Sequence, residues 1–227
     1  MGTVFERFIE NKKIQKRQEN FKECIEDAKI KDKKLWKKIV DKIVNNPNIE
    51  LNPGEIIRYI ANYNDLNREQ QKLVSYIIND MCKDPSKQNI YEIEGLNWLK
   101  NYPELEDVAK PYNPELVLKD GVILARNGKK DPNTSKSIDV IFKIGKTCFV
   151  GTMKYTKNSG GAQDNQFNDV RNFLHHGIGL KDVKVIALVD GEYYTSDKIE
   201  QLKSINKDAI VMRISDIENL IDIYMKE

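Results

Sequence analysis

The sequence predicts an α/β protein, with a helical region over residues 1–110 and a core over 111–227 in which a mixed sheet is flanked by helices. Three observations predict it. In the first half, apolar residues recur at three- and four-residue spacing, the period of amphipathic helices. In the second half, two β-patterned runs, 137–144 and 147–155, are joined by Gly145 and Lys146, which read as a tight turn. Further on, 183–189, apolar except for Lys184, is a run of the kind found in strands buried on both faces.

Taken in order, Phe5, Phe8, Ile9 and Ile14 open an apolar stripe that Phe21, Cys24, Ile25 and Ala28 continue. A helix over 33–44 turns Leu35, Ile39, Val40 and Ile43 inward, and Asn45, Asn46 and Pro47 end it. Asn52, Pro53, Gly54 and Glu55 form a helix start with proline in the first turn. Asn67 caps the next helix, which runs to Met81 with Leu73, Val74, Ile77 and Ile78 on its apolar face. A short helix fits 91–99, and the prolines of 102–114 then break the helical pattern. Residues 115–124 read as a hairpin around Asp120 and Gly121, and 126–137 as a polar loop. After the second hairpin, Gly160 and Gly161 precede a helix over 162–174 that carries Phe167, Val170, Phe173 and Leu174. A helix over 196–204, a strand over 209–213 and a helix over 215–225 follow the buried strand. No internal repeat is visible.

Composition limits the chemistry. Apolar residues make up 40% and charged residues 32%, as in a soluble globular domain. No apolar run approaches the roughly 18 residues of a membrane helix, and the start lacks the apolar stretch of a signal peptide, so a cytoplasmic protein with no membrane contact is expected. Three widely spaced cysteines and two histidines leave little material for a structural zinc site or a serine-histidine-aspartate triad. The net charge is only +2, but its distribution is uneven. Lysines crowd 11–38. Between 119 and 157, Lys119, Arg126, Lys129, Lys130, Lys136, Lys143, Lys146, Lys154 and Lys157 face only Asp120, Asp131 and Asp139, a local balance that suits a polyanion.

The second hairpin carries the chemistry. Asp139 interrupts its first apolar strand and Lys154 ends its second, with Thr152 on the same side as Lys154 by the two-residue period. Phosphodiester hydrolysis needs a carboxylate to anchor Mg2+ near a phosphate, and a cation such as lysine to position water or offset developing charge. The segment resembles the catalytic hairpin of the PD-(D/E)xK nuclease superfamily, and specifically of type II restriction endonucleases. Asp139 matches the motif's aspartate and Lys154 its lysine. Met153 falls at the free position, whose carbonyl commonly ligates the metal in such enzymes. The likeness covers roughly 126–189 and includes the polar run from Tyr155 to Gln166.

The resemblance implies a restriction-endonuclease-like core, Mg2+ as cofactor, double-stranded DNA as substrate and a homodimer that cuts both strands of a short two-fold site. It implies Asp139, Thr152 and Lys154 as catalytic positions and Asp139 with Met153 as metal ligands. Thr152 departs from the pattern, which has an acid there. Three readings stand open: the enzyme tolerates a neutral residue; Glu6, Glu69 or Glu94 compensates; or Thr152 is a substitution that disables cleavage. Two alternatives stand beside restriction: a non-specific repair or junction-resolving nuclease, and a non-catalytic DNA-binding module on a degraded nuclease fold. Lys129, Lys130, Lys157, Asn158, Ser159, Gln163, Asn165 and Gln166 are the expected DNA contacts, because amides and lysines near a helix start suit base edges and phosphates.

Overall fold

The computed structural model describes residues 3–30, 32–44, 52–81, 90–112, 114–126, 136–157 and 161–226. The chain divides into two compact units. One comprises Glu10–Ile90, the other Met1–Ile9 with Tyr91–Glu227.

The first unit is built from α1 (Val4–Lys29), which begins in the other unit, and from α2 (Lys33–Val44), α3 (Pro53–Ala61) and α4 (Arg68–Met81). The helix starts are the ones read from sequence. Asn52 Oδ1 accepts from Glu55 N at 2.9 Å while the Glu55 carboxylate accepts from Asn52 N, a reciprocal cap that satisfies donors the helix itself cannot. Asn67 and Gln70 make the same exchange before α4. Cys24, Ala28, Leu35, Ile56, Ile60, Val74, Ile77 and Ile78 form the core of this unit.

The second unit contains α5 (Ile90–Leu99), β1 (Leu105–Ala109), β2 (Leu116–Lys119), β3 (Val122–Ala125), β4 (Lys136–Ser137), β5 (Val140–Ile144), β6 (Thr147–Tyr155), α6 (Gly161–His176), β7 (Val183–Asp190), α7 (Ser196–Lys203), β8 (Ile210–Met212) and α8 (Ile217–Tyr224). Five strands form a mixed sheet in the order β1-β5-β6-β7-β8, and three form a smaller sheet, β3-β2-β4. β6 is central. It runs antiparallel to β5 and parallel to β7, with Val150 opposite Ile141 on one side and Val185 on the other. On one face of the sheet, Phe142, Phe149, Met153 and Leu188 pack with Phe5, Ile9, Leu99, Ile217 and Leu220. On the other, Val150, Val185, Ala187 and Val189 pack with Val170, Phe173, Leu174 and Leu202. β7 is therefore buried on both faces, as its apolar run requires.

Two expectations are corrected. The stretch 102–114 was expected only to break helical structure, yet it contains β1, an edge strand antiparallel to β5. Leu105 is its one buried residue, so no alternation marks it. Asp139 was expected on the first strand of the hairpin, but it lies in the two-residue gap between β4 and β5. There the chain changes sheets: Ile138 N donates to Leu116 O at 3.0 Å in the small sheet, and Asp139 N donates to Gly151 O at 2.8 Å in the large one. No helix of the described residues is long and apolar enough to cross a membrane.

The loop after β7 is held close to β6. Gly191 has φ +100, and a Cβ there would lie 2.1 Å from Thr156 O. Gly191→Ala is expected to cost about 2 to 4 kcal/mol through strain and overlap, measured by urea unfolding. A loss under about 0.5 kcal/mol, the scale of an ordinary surface substitution, would show that this approach is looser than described.

Candidate active site

The site is built by β6 and by the sheet-crossing residues beside it. Three donors converge on one oxygen of Asp139. Thr152 Oγ1 donates to Oδ2 at 2.7 Å, Met153 N at 3.1 Å and Lys154 Nζ at 3.2 Å. Asp139 is 6% exposed and Thr152 3%, while Lys154 is half-buried. The sequence-predicted trio is thus together in space. Among the described residues, Asp139 Oδ1 accepts no hydrogen bond.

The Met153 main chain fits the same corner. In a strand, the N–H and C=O of one residue point to the same side. Met153 N points toward Asp139, so its carbonyl also lies on the β5 side, where β5 does not extend beyond Val140 opposite Gly151. Its side chain lies on the opposite face, where α5 approaches so closely that a Cβ on Gly95 would meet Met153 Cε at 2.1 Å.

A second cation stands near Asp139. Lys110, just after β1, is ion-paired with Glu92 of α5. Burial works to lower its pKa, but the hydrogen bond and charge of Glu92, with a further contribution from the charge of Asp139, hold it above the ordinary lysine value. Glu92, which is not among the glutamates weighed from the sequence, is linked to this corner through Lys110. Glu6 is engaged elsewhere: its Oε1 accepts from Gly191 N and from Arg213 Nη1, each at 2.7 Å. Glu94 makes no hydrogen bond to the Asp139 cluster among the described residues. Glu69 lies on α4, in the other unit. No cluster of three or more histidine, cysteine, aspartate or glutamate side chains occurs among the described residues.

The expected DNA contacts divide into three groups. Lys129, Lys130, Asn158 and Ser159 lie outside the described residues. Gln163 is in the first turn of α6, with its side chain likewise outside them. Lys157 and Asn165 are exposed, and Gln166 is half-buried, its Oε1 accepting from Thr156 Oγ1 at 2.7 Å. Tyr193 Oη donates to Asp164 Oδ1 at 2.6 Å, so both sides of the α6 start are tied down. Part of the basic stretch is neutralised locally: Arg126 pairs with Glu115, and Lys136 with Asp169. Lys146 sits in the β5–β6 turn, at the other end of β6 from Lys154.

Sequence reasoning missed a buried network behind the site. Asp190, at the end of β7, is fully buried. Its Oδ2 accepts from Tyr91 Oη at 2.8 Å and from Ile214 N at 3.1 Å, while Oδ1 meets no donor. Burial pushes this carboxyl up to about 6, with Glu6 adding to the rise, while the Tyr91 and Ile214 hydrogen bonds and Arg213 oppose it. Tyr91, desolvated and facing Asp190, is raised well above the ordinary tyrosine value. The members are 185 and 207 positions apart for Glu6 with Gly191 and Arg213, so no local motif could announce them.

Residues 116–221 match the family model described as Tsp45I type II restriction enzyme. The matched segment holds both strands of the β5–β6 hairpin, α6 and β7, and bears out the likeness to type II restriction endonucleases. It supports a site-specific type II nuclease in general terms, and the mixed α/β architecture agrees with a restriction-endonuclease-like fold. No match emerges among curated proteins or among solved structures.

The raised Asp190 has a consequence for stability. Between the ordinary value of 3.8 and about 6, the folded chain holds a proton that the unfolded chain has lost. Its contribution to stability is therefore full below 3.8 and is lost as the pH rises to about 6. The gap corresponds to about 3 kcal/mol. Unfolding measured at pH 4.5 and pH 7 should give a smaller loss of stability on raising the pH for Asp190→Asn than for the wild type. Equal losses in the two proteins would contradict the assignment.

Proposed function

We propose that this chain is a Mg2+-dependent, site-specific type II deoxyribonuclease acting on double-stranded DNA, with Asp139, Met153 and Lys154 at its reaction centre. The observation that carries the reading is the convergence of three donors on Asp139 Oδ2, which leaves Oδ1 open beside the side to which the Met153 carbonyl points. An open carboxylate oxygen and a main-chain carbonyl suit Mg2+, which takes one or two carboxylates and keeps several waters. Bound there, the cation would neutralise charge on a scissile phosphate and lower the pKa of a water.

The protein's own groups divide the remaining work. Thr152 and Met153 N hold Oδ2, which fixes the rotation of the carboxylate and keeps Oδ1 turned outward. Lys154 is flexible, half-buried and held by one ion pair, so it can turn to hydrogen-bond the attacking water or the phosphate as charge develops. Glu92, reached from Asp139 through Lys110, would be the candidate for the second carboxylate that Thr152 does not supply. The exposed Lys157 and the amides at the α6 start bind the duplex beside this centre. Two strands of a two-fold site call for two copies of the centre, hence a homodimer.

One observation favours a second reading, a DNA-binding module without catalysis: the Thr152 hydroxyl occupies by hydrogen bonding the position where the family pattern places an acid. Plasmid DNA with Mg2+ separates the two. The wild type should give discrete bands. Asp139→Asn should abolish them, and Lys154→Ala should slow them by about 10²- to 10⁴-fold, the scale of a lost acid–base or charge-stabilising group. Thr152→Glu should lower the Mg2+ concentration needed by about 10- to 100-fold. Binding without cleavage from every version establishes the module. Full-speed cleavage by the wild type that Thr152→Glu destroys would show that the motif has been aligned wrongly.

A further inference from the structure

We propose that Thr156 is a positioning residue that aims the carboxamide of Gln166 at a hydrogen-bond acceptor of the DNA. The inference rests on the nuclease reading above and adds a residue that no motif marks. Thr156 follows β6 directly, two residues after Lys154, at the carboxyl ends of the parallel pair β6 and β7. Open α/β sheets bind ligands at that end.

Its main chain is clamped from two directions. Thr156 N donates to Asp190 O at 2.9 Å, and Thr156 O accepts from Tyr193 N at 3.2 Å. Gly191 presses against the same peptide, and the side chain is 3% exposed. The hydroxyl therefore has a fixed origin, and it donates to Gln166 Oε1 at 2.7 Å. A primary amide has one acceptor oxygen and two N–H donors. With the oxygen held by Thr156, both donors turn away from it, and among the described residues Nε2 meets no acceptor. Tyr193 anchors Asp164, two residues earlier on α6, so the helix that carries Gln166 is braced as well. A donor pair fixed before binding loses little freedom when it engages a ligand. The acceptor is either a phosphate oxygen or a base edge, since both present the same chemistry to an amide N–H.

The test compares Thr156→Val, which keeps shape and loses the hydroxyl, with Thr156→Ser, which keeps the hydroxyl. Cleavage kinetics are read on a supercoiled plasmid with Mg2+, and binding on a duplex pool with a randomised centre, with Ca2+ in place of Mg2+. Thr156→Val is expected to raise KM roughly fivefold to tenfold, the scale of one hydrogen bond, with kcat within about twofold. Thr156→Ser restores KM, Gln166→Ala matches Thr156→Val, and the double variant adds nothing. A phosphate acceptor shows as weakening that is equal across sequences. A base acceptor shows as a broadened set of bound sequences, and either supports the proposal. Equal behaviour of Thr156→Val and Thr156→Ser, additive loss in the double variant, or wild-type binding by Gln166→Ala overturns it. Should Thr156→Val fail to fold, Gln166→Ala decides by itself. A wild type that does not cut overturns the nuclease reading instead, and the binding series then judges the Thr156–Gln166 pair on its own.

Discussion

Asp139 Oδ2 accepts from three successive residues of one strand: a hydroxyl, a main-chain N–H and an ammonium. A carboxylate this deeply buried would cost several kcal/mol without such partners. All three donors reach it because Asp139 lies where the chain leaves the small sheet for the large one. A residue within β5 would have its main chain committed to the ladder and its side chain standing perpendicular to the sheet. At the crossing, Asp139 N still pairs with Gly151, while the side chain lies alongside β6 and meets Thr152, Met153 and Lys154 in turn. The donor set leaves one oxygen of the carboxylate open, and that asymmetry is what makes the corner suited to a cation.

The surrounding fold keeps β6 from moving. It lies between an antiparallel and a parallel neighbour, with a packed core on each face. Gly95 lets α5 approach the Met153 side chain, which anchors the residue whose main chain serves the site on the other side. Past the end of β6, Thr156, Gly191 and Tyr193 fasten the strand to the β7–α7 loop. Glu6 attaches the first turns of α1 to that same loop by accepting from Gly191 N, and Arg213 pairs with the same oxygen. The residues around Asp139 are thus held by main-chain bonds and packing, while Lys154 reaches it with a long side chain.

How much of this was legible in the sequence depends on how local each cause is. Helix caps at Asn52 and Asn67, the hairpin turn at Gly145 and the buried run of β7 are written in neighbouring residues, and each appears where its pattern placed it. The nearness of Asp139 to Thr152 and Lys154 could be read from the hairpin, but the donor set on its carboxylate could not, because it depends on the crossing between the sheets. β1 could not, because an edge strand with Leu105 as its one buried residue has no period. The break before Val140 was equally silent, since Ile138 is as apolar as any strand residue and serves the other face. Glu92 with Lys110, and Glu6 with Arg213, depend on elements far apart in the chain. They become visible only when the elements are packed.

In the proposed site, Asp139 and the Met153 carbonyl hold the divalent cation. Crystals of the chain with a DNA duplex and Mn2+, which gives an anomalous signal in place of Mg2+, test it directly. An anomalous peak is expected within coordination distance of Asp139 Oδ1 and Met153 O, with Oδ2 still bonded to Thr152. A peak at any other carboxylate cluster, or none at Asp139 while the duplex is bound beside Lys154, would contradict it.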